Sequence, residues 1–142
     1  MIGLDSAVTL IDGSLKHARG LGLQPMTVVV LDAGGCLVAL KREDGSSLLR
    51  PRIAQAKASG ALGMGMGSRA LAERVESHSA FMNAIIGLAD GMLVPVPGGV
   101  LIRSAAGSIL GAVGISGDHS DKDEACAVAG IEAAGLIGDT GA

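Results

Sequence analysis

Glycine recurs inside an apolar run near the C-terminal end of the chain, and this pattern constrains the fold more than any other. In the run Leu110–Gly117, glycines are interspersed among Leu, Ala, Val and Ile. The run predicts a buried strand, and glycine in such a strand is typical of a position that another backbone or a ligand approaches closely. A polar turn and the acidic start of a helix follow, where backbone N–H groups are unpaired and the helix dipole is positive. This junction therefore predicts the rim of a binding pocket, although small residues needed only for packing would give the same pattern.

Aromatic side chains are almost absent, since the chain has one Phe and no Trp or Tyr. Its hydrophobic fraction of 49% comes largely from Ala, Val, Leu and Ile, which predicts a closely packed core of small aliphatic side chains. A length of 142 residues suits one domain, so we predict a single domain over residues 1–142. The mean hydropathy of +0.50 is high for a small monomer, and apolar surface of this kind is often hidden between subunits. We therefore expect a homo-oligomer.

Charge and hydropathy argue against several classes of protein. A net charge of −3, without Trp or Tyr, favours neither nucleic-acid binding nor base stacking. No apolar run reaches the length of a membrane-spanning helix. The N-terminal residues lack a basic segment followed by an apolar one, so we expect a cytoplasmic protein. Cys36, in a predicted strand, and Cys126, in a predicted helix, are then expected to be buried thiols.

Hydrophobic periodicity and turn residues predict ten elements in the order helix, two strands, three helices, three strands, helix. Tight turns join consecutive strands, and a parallel return would need a longer crossover, so the strands must be antiparallel. The predicted fold class is α+β, with a five-stranded antiparallel sheet and helices packed on it. The predicted strands are Met26–Leu31, Cys36–Leu40, Met92–Val96, Val100–Arg103 and Ser108–Ser116, and the predicted helices begin near Leu4, Pro51, Ser68, Phe81 and Ser120.

Three details of the helical segments are also expected. Phe81, Ile85 and Leu88 share one face of the fourth helix. Ser120 and Asp123 form a capping box at the start of the last helix, which continues to about Leu136. The tail after Ile137 is expected to be disordered.

A basic segment is the first candidate for ligand binding. Residues 41–57 contain five Lys or Arg residues and only two acids, among them Arg42, Arg50 and Lys57. Arginine offers a planar fork and lysine a point charge to a carboxylate or phosphate. We place an anion pocket where this segment meets the turn at Gly98 and Gly99 and the helix start that contains Asp123. The same charges could instead form a solvated face, and the acids beside that helix start would repel an anion unless they point outward.

The three histidines do not indicate a zinc site, because none has His, Asp or Glu at metal-ligand spacing. Haem needs only one or two axial donors, so spacing does not exclude it. His17, near the end of the first helix, is the candidate haem ligand. No serine lies in a nucleophile-elbow motif, so serine hydrolysis has no support.

Several segments together resemble the GlcG/HbpS-like family. They include the hairpin Val29–Leu40 with Arg42, the pair Lys57-Ala58, the turn Pro97–Val100, the glycine run Leu110–Gly117, and Asp123-Glu124. The resemblance extends from about Leu4 to Leu136. It implies a profilin-like α/β/α sandwich that assembles into oligomers, haem binding, and a relation to the C-terminal domains of PduO-type adenosyltransferases. The scarcity of aromatic residues departs from a usual haem pocket, and we expect no signal peptide of the kind that secreted members have.

Three functions remain open at this point. The leading hypothesis is a small-molecule binding protein for haem or a related tetrapyrrole, whose propionates the basic segment could meet. The alternative is an enzyme or accessory protein that acts on a small anionic metabolite in a catabolic pathway, with Lys57 or Asp123 in acid–base chemistry. A structural oligomer whose function belongs to a partner is the third. Whether the chain is an enzyme is left open.

Overall fold

Five strands form one antiparallel sheet, with helices on both faces. The computed structural model describes residues 1–142. The elements are α1 (Leu4–Gly20), β1 (Thr27–Asp32), β2 (Leu37–Arg42), α2 (Arg50–Met64), α3 (Ser68–Ser77), α4 (Ser79–Leu88), β3 (Gly99–Arg103), β4 (Ile109–Ser116), α5 (Ser120–Ala133) and β5 (Ile137–Asp139). The strand order is β2-β1-β4-β3-β5, and every pair is antiparallel. The predicted α+β class is confirmed.

Side-chain alternation along β1 divides the core into two layers. Val28 and Val30 belong to the larger cluster, which α1 and α5 cover. Val29 and Leu31 belong to a second cluster, which α2 covers from the opposite face. Because successive side chains of a strand point to opposite faces, this central strand is buried on both sides. No helix of the chain is long and apolar enough to span a membrane.

The glycine run in β4 brings α2 unusually close to the sheet. A Cβ atom on Gly114 would overlap with the carbonyl oxygen of Ala54 in α2. A Cβ atom on Gly111 would overlap with the carbonyl oxygen of Leu31 in β1. The interpretation of these glycines as points of close backbone approach is therefore confirmed.

One predicted strand is wrong, and the sheet takes its fifth strand from elsewhere. Residues Met92–Val96 form no strand, because Pro95 and Pro97 remove backbone N–H groups that a ladder would need. The tail that we expected to be disordered provides β5, which pairs with β3. Gly141, beyond it, also packs closely, since its Cβ would lie 2.7 Å from the Cβ of Ala70.

The shared face of α4 is largely exposed, and the predicted capping box does not form. Phe81 and Leu88 are exposed, and Met82 is the buried residue of α4. Ser120 makes no side-chain cap. The carboxylate of Asp123 reaches back to the Asp118 N–H instead.

The two cysteines differ in their surroundings. Cys36 lies in the β1–β2 turn and is exposed, so the prediction of a buried strand thiol is wrong there. The prediction is confirmed for Cys126, which is buried in α5. Burial raises the pKa of the Cys126 thiol to about 11, so this group is a protonated thiol at neutral pH.

Candidate functional site

A buried ion pair joins α2 to the start of α5. Lys57 and Asp123 are 2% and 1% exposed. The Lys57 Nζ donates to Asp123 Oδ2 at 3.1 Å and to the Ile115 carbonyl oxygen at 2.9 Å. The other oxygen of Asp123, Oδ1, accepts the Asp118 N–H at 2.9 Å. Both charges are therefore compensated within the fold.

Burial and mutual attraction act in opposite directions on this pair. Loss of hydration lowers the pKa of Lys57 and raises the pKa of Asp123, while each charge favours the ionised form of the other. The positive charge of Arg50 adds to the lowering of the Lys57 pKa. The close contact between the two groups therefore favours their charged forms, whereas burial disfavours them.

The two glycines at the start of β3 make room for Lys57. Gly98 has a φ of +121°, and a Cβ there would lie 2.8 Å from the Lys57 Nζ. A Cβ on Gly99 would overlap with the Lys57 carbonyl group. The Gly99 N–H instead donates to the Ser68 Oγ at 2.7 Å. Both glycines are required by the path of α2 past the strand.

Arg50 lies beside this pair, at the start of α2. Its Nη1 donates to the Ser116 Oγ at 3.0 Å, and it forms no salt bridge. Arg50 also lines a cavity of about 200 Å³. The other lining residues are polar or small, namely Gln24, Pro25, Gly45, Ser46, Ser47 and Gly117. The cavity therefore contains a cation without an anionic partner.

The structure brings five of the six predicted ligand-binding residues together, and these are Arg50, Lys57, Gly98, Gly99 and Asp123. Arg42 stands apart. Its Nε donates to the Ser46 carbonyl oxygen at 3.1 Å, and its side chain lines a different hollow of about 440 Å³ with Arg19, Glu43 and Asp44. The Lys57 ammonium is committed to protein groups. A binding role for this group of residues stays a prediction.

His17 lies in the other helical layer, on α1. It borders a shallow hollow of about 500 Å³ between α1 and α5. Lys16 and Leu21 also line it. The rest of the lining is formed by small residues, namely Gly13, Gly20, Ala129 and Ala133. The helices approach closely here, since a Cβ on Gly13 would lie 2.8 Å from the Ala133 Cβ. The sequence alone identified His17 but not this hollow.

Three residues of these sites were missed by the sequence analysis. The Ser116 hydroxyl orients Arg50, and its position as the last polar residue of a glycine-rich strand was an available signal. Lys16 directly precedes His17 in the sequence, and this was the available signal for it. Ser47 carries no distinguishing sequence feature. The chain contains no group of three His, Cys, Asp or Glu side chains that could hold a metal ion.

Comparison with known proteins gives one family and several similar folds. The family described as haem-degrading protein, HbpS-like, matches residues 2–132. No curated protein is significantly similar to the chain.

Three solved structures have this fold. PduOC in complex with haem aligns with a TM-score of 0.85 at 24% identity, over 95% of this chain and 96% of that chain. Klebsiella pneumoniae ORFY aligns with a TM-score of 0.86 at 20% identity, over 94% and 90%. A double mutant of Streptomyces reticuli HbpS aligns with a TM-score of 0.78 at 23% identity, over 92% and 85%. At these identities the likeness concerns the fold alone, and it agrees with the predicted sandwich.

Proposed function

The chain belongs to the HbpS-like family, and from this premise we propose that it binds haem or a related tetrapyrrole in the hollow beside His17. The family's description supports a haem-related role at the level of the family. The observation that carries the placement is an imidazole without a hydrogen-bond partner, next to a shallow surface of small residues.

The lining of this hollow fits a flat, largely apolar ligand. Glycine has no side chain and alanine has only a methyl group, so a planar ring could lie against α1 and α5. Leu21, 56% exposed, offers apolar contact at the edge. The imidazole of His17 is half-buried and makes no hydrogen bond within the chain, so a ring nitrogen is free to serve as an axial donor.

Charge at the rim supports the same placement. Lys16 lines the hollow, and its ammonium is a suitable partner for a propionate carboxylate. Arg42 and Arg50, the candidates from the basic segment, do not line it. When bound, haem would supply a redox-active iron with a further coordination position. The residues of the chain would hold the ring and bind one propionate.

The other hollows fit a tetrapyrrole less well. The cavity beside Arg50 is small and has no hydrophobic lining residue. The hollow beside Arg42 is lined by two arginines and two acids together with a proline. A third hollow, of about 330 Å³ between α2 and α4, is apolar but contains no histidine.

Haem titration followed by the Soret band tests this proposal. We expect a saturable red-shifted band at one haem per chain in the wild type, and its loss or blue shift in His17→Ala. His119→Ala is the matched control, because His119 is an exposed histidine outside every hollow described above, and it should leave the spectrum unchanged. A wild type without saturable binding, or the same spectrum in His17→Ala, would overturn the proposal.

We also infer that the chain forms a homo-oligomer through the surface around α4. No charged residue occurs between Ser77 and Ala89. Phe81 and Leu88 are 51% and 79% exposed, and within the chain α4 packs mainly on α3. Light scattering should give a mass above that of the monomer, and Leu88→Glu should reduce it. A monomer mass for the wild type across a wide dilution range would contradict this inference.

A further inference from the structure

We propose that the cavity at the start of α2 is a second binding site, which takes a small carboxylate through Arg50. This site is separate from the hollow beside His17, because the two have no lining residue in common. It therefore does not depend on the proposed binding of haem.

The balance of charge around Arg50 calls for an anion. Lys57 and Asp123 neutralise each other as a buried pair. Arg50, half-buried, has no carboxylate within salt-bridge distance. One positive charge is thus left over at the cavity, in a setting where partial burial strengthens its attraction for an anion.

The guanidinium is held in place and still has free donors. One N–H is bonded to the Ser116 hydroxyl, which fixes the orientation of the group. The remaining N–H groups make no hydrogen bond within the chain, and two of them in parallel match the two oxygens of a carboxylate. Ser47 also lines the cavity, and neither its backbone N–H nor its hydroxyl makes a hydrogen bond within the chain.

Size and polarity define the class of ligand. A volume of about 200 Å³ has room for an acid of two to four carbons. None of the lining residues is hydrophobic, so a hydroxy or keto acid fits better than an alkanoic acid of the same length.

A single negative charge fits better than two. Only Arg50 faces the cavity with an unpaired positive charge. Gln24, which also lines it, donates its N–H to the carboxylate of Asp118 at 2.9 Å. The Asp118 carboxylate accepts hydrogen bonds from the backbone N–H groups of Gln24 and His119, which lower its pKa. This neighbouring group is therefore anionic. It would repel a dianion such as phosphate more than a monoanion.

The site is tested by titrating the full-length protein with lactate, pyruvate, propionate and inorganic phosphate. Binding is followed by the NMR chemical shifts of the backbone amides. We expect saturable shifts of the Gly45, Ser47 and Gly117 amides with lactate or pyruvate, and weaker binding of propionate and phosphate. Arg50→Gln should weaken binding by about tenfold or more, since charge-assisted hydrogen bonds are lost. Arg52→Gln is the matched control, because Arg52 is exposed and makes no ion pair, and it should bind as the wild type does.

Two further variants keep the result interpretable. Ser47→Leu, at an exposed position, should obstruct the cavity without removing Arg50, and it tests the site if Arg50→Gln does not fold. His17→Ala should bind the acids normally, which separates this site from haem binding. No saturable shift with either lactate or pyruvate, or equal affinity in Arg50→Gln, Ser47→Leu and the wild type, would overturn the proposal.

Discussion

Replacing Lys57 with methionine removes the partner of a carboxylate that is 1% exposed. Methionine occupies the apolar path of the lysine stem, so the main effect is an unpaired Asp123. Removing one partner of a buried ion pair typically costs about 3–5 kcal/mol. Domains of this size have total stabilities of about 5–15 kcal/mol. We therefore expect Lys57→Met to fold marginally at neutral pH, with a Tm lower by about 10–15 °C.

The loss should depend on pH in a defined direction. Burial raises the folded-state pKa of Asp123 above the value of 3.8, and the attraction of Lys57 opposes this rise. Without Lys57 the folded-state pKa rises further. Such a group contributes stability that is fully present below its unfolded pKa and is lost as pH rises through the folded pKa. The deficit of the variant should therefore be largest at neutral pH and shrink on acidification.

Urea unfolding of the variant and the wild type, at neutral pH and near pH 4, measures both effects. Lys122→Met is the matched control, since Lys122 directly precedes Asp123 in α5, is exposed and makes no ion pair. The double variant Lys57→Met, Asp123→Leu should recover much of the loss, because no buried charge then remains. Equal unfolding midpoints for Lys57→Met and Lys122→Met, or a deficit that does not change with pH, would refute this reasoning.

Further expectations concern the close packing and the edge of the sheet. Gly114→Val should lower the free energy of unfolding by about 1–3 kcal/mol. Gly63 lies in a helix with open space around it, so Gly63→Ala should raise the free energy of unfolding by about 0.5 kcal/mol. Equal urea midpoints for the two variants and the wild type would contradict both expectations. Removing residues 137–142 should speed hydrogen exchange of the β3 amides that pair with β5, and unchanged protection would argue against this edge strand. Asp139→Ala alone should cost less than about 1 kcal/mol in urea unfolding, because its ion pair with Arg103 is partly exposed, and a larger loss would show that this pair anchors β5.

Much of the candidate site beside Lys57 was predictable from local signals. A turn with two glycines, a helix start with acids and a basic segment indicated that Gly98, Gly99, Asp123, Arg50 and Lys57 meet. The role of Lys57 was not predictable, because the local sequence around a lysine does not show whether it is buried in an ion pair or exposed to bind a ligand. Only the path of α2 across β4 determines that the ammonium reaches Asp123 and the Ile115 carbonyl oxygen.

By itself the sequence determined the α+β class, the central strands and the close approach at Gly114, because alternation, tight turns and glycine spacing are properties of neighbouring residues. Tertiary structure alone decided that β5 comes from the tail and that residues 92–96 form no strand, since edge pairing depends on which segments reach the sheet. It also placed Arg42 outside the cavity that Arg50 lines, and it formed the hollow at His17 by packing α1 against α5. Cavities and charge partners arise between elements that are distant in the chain, so no local pattern encodes them.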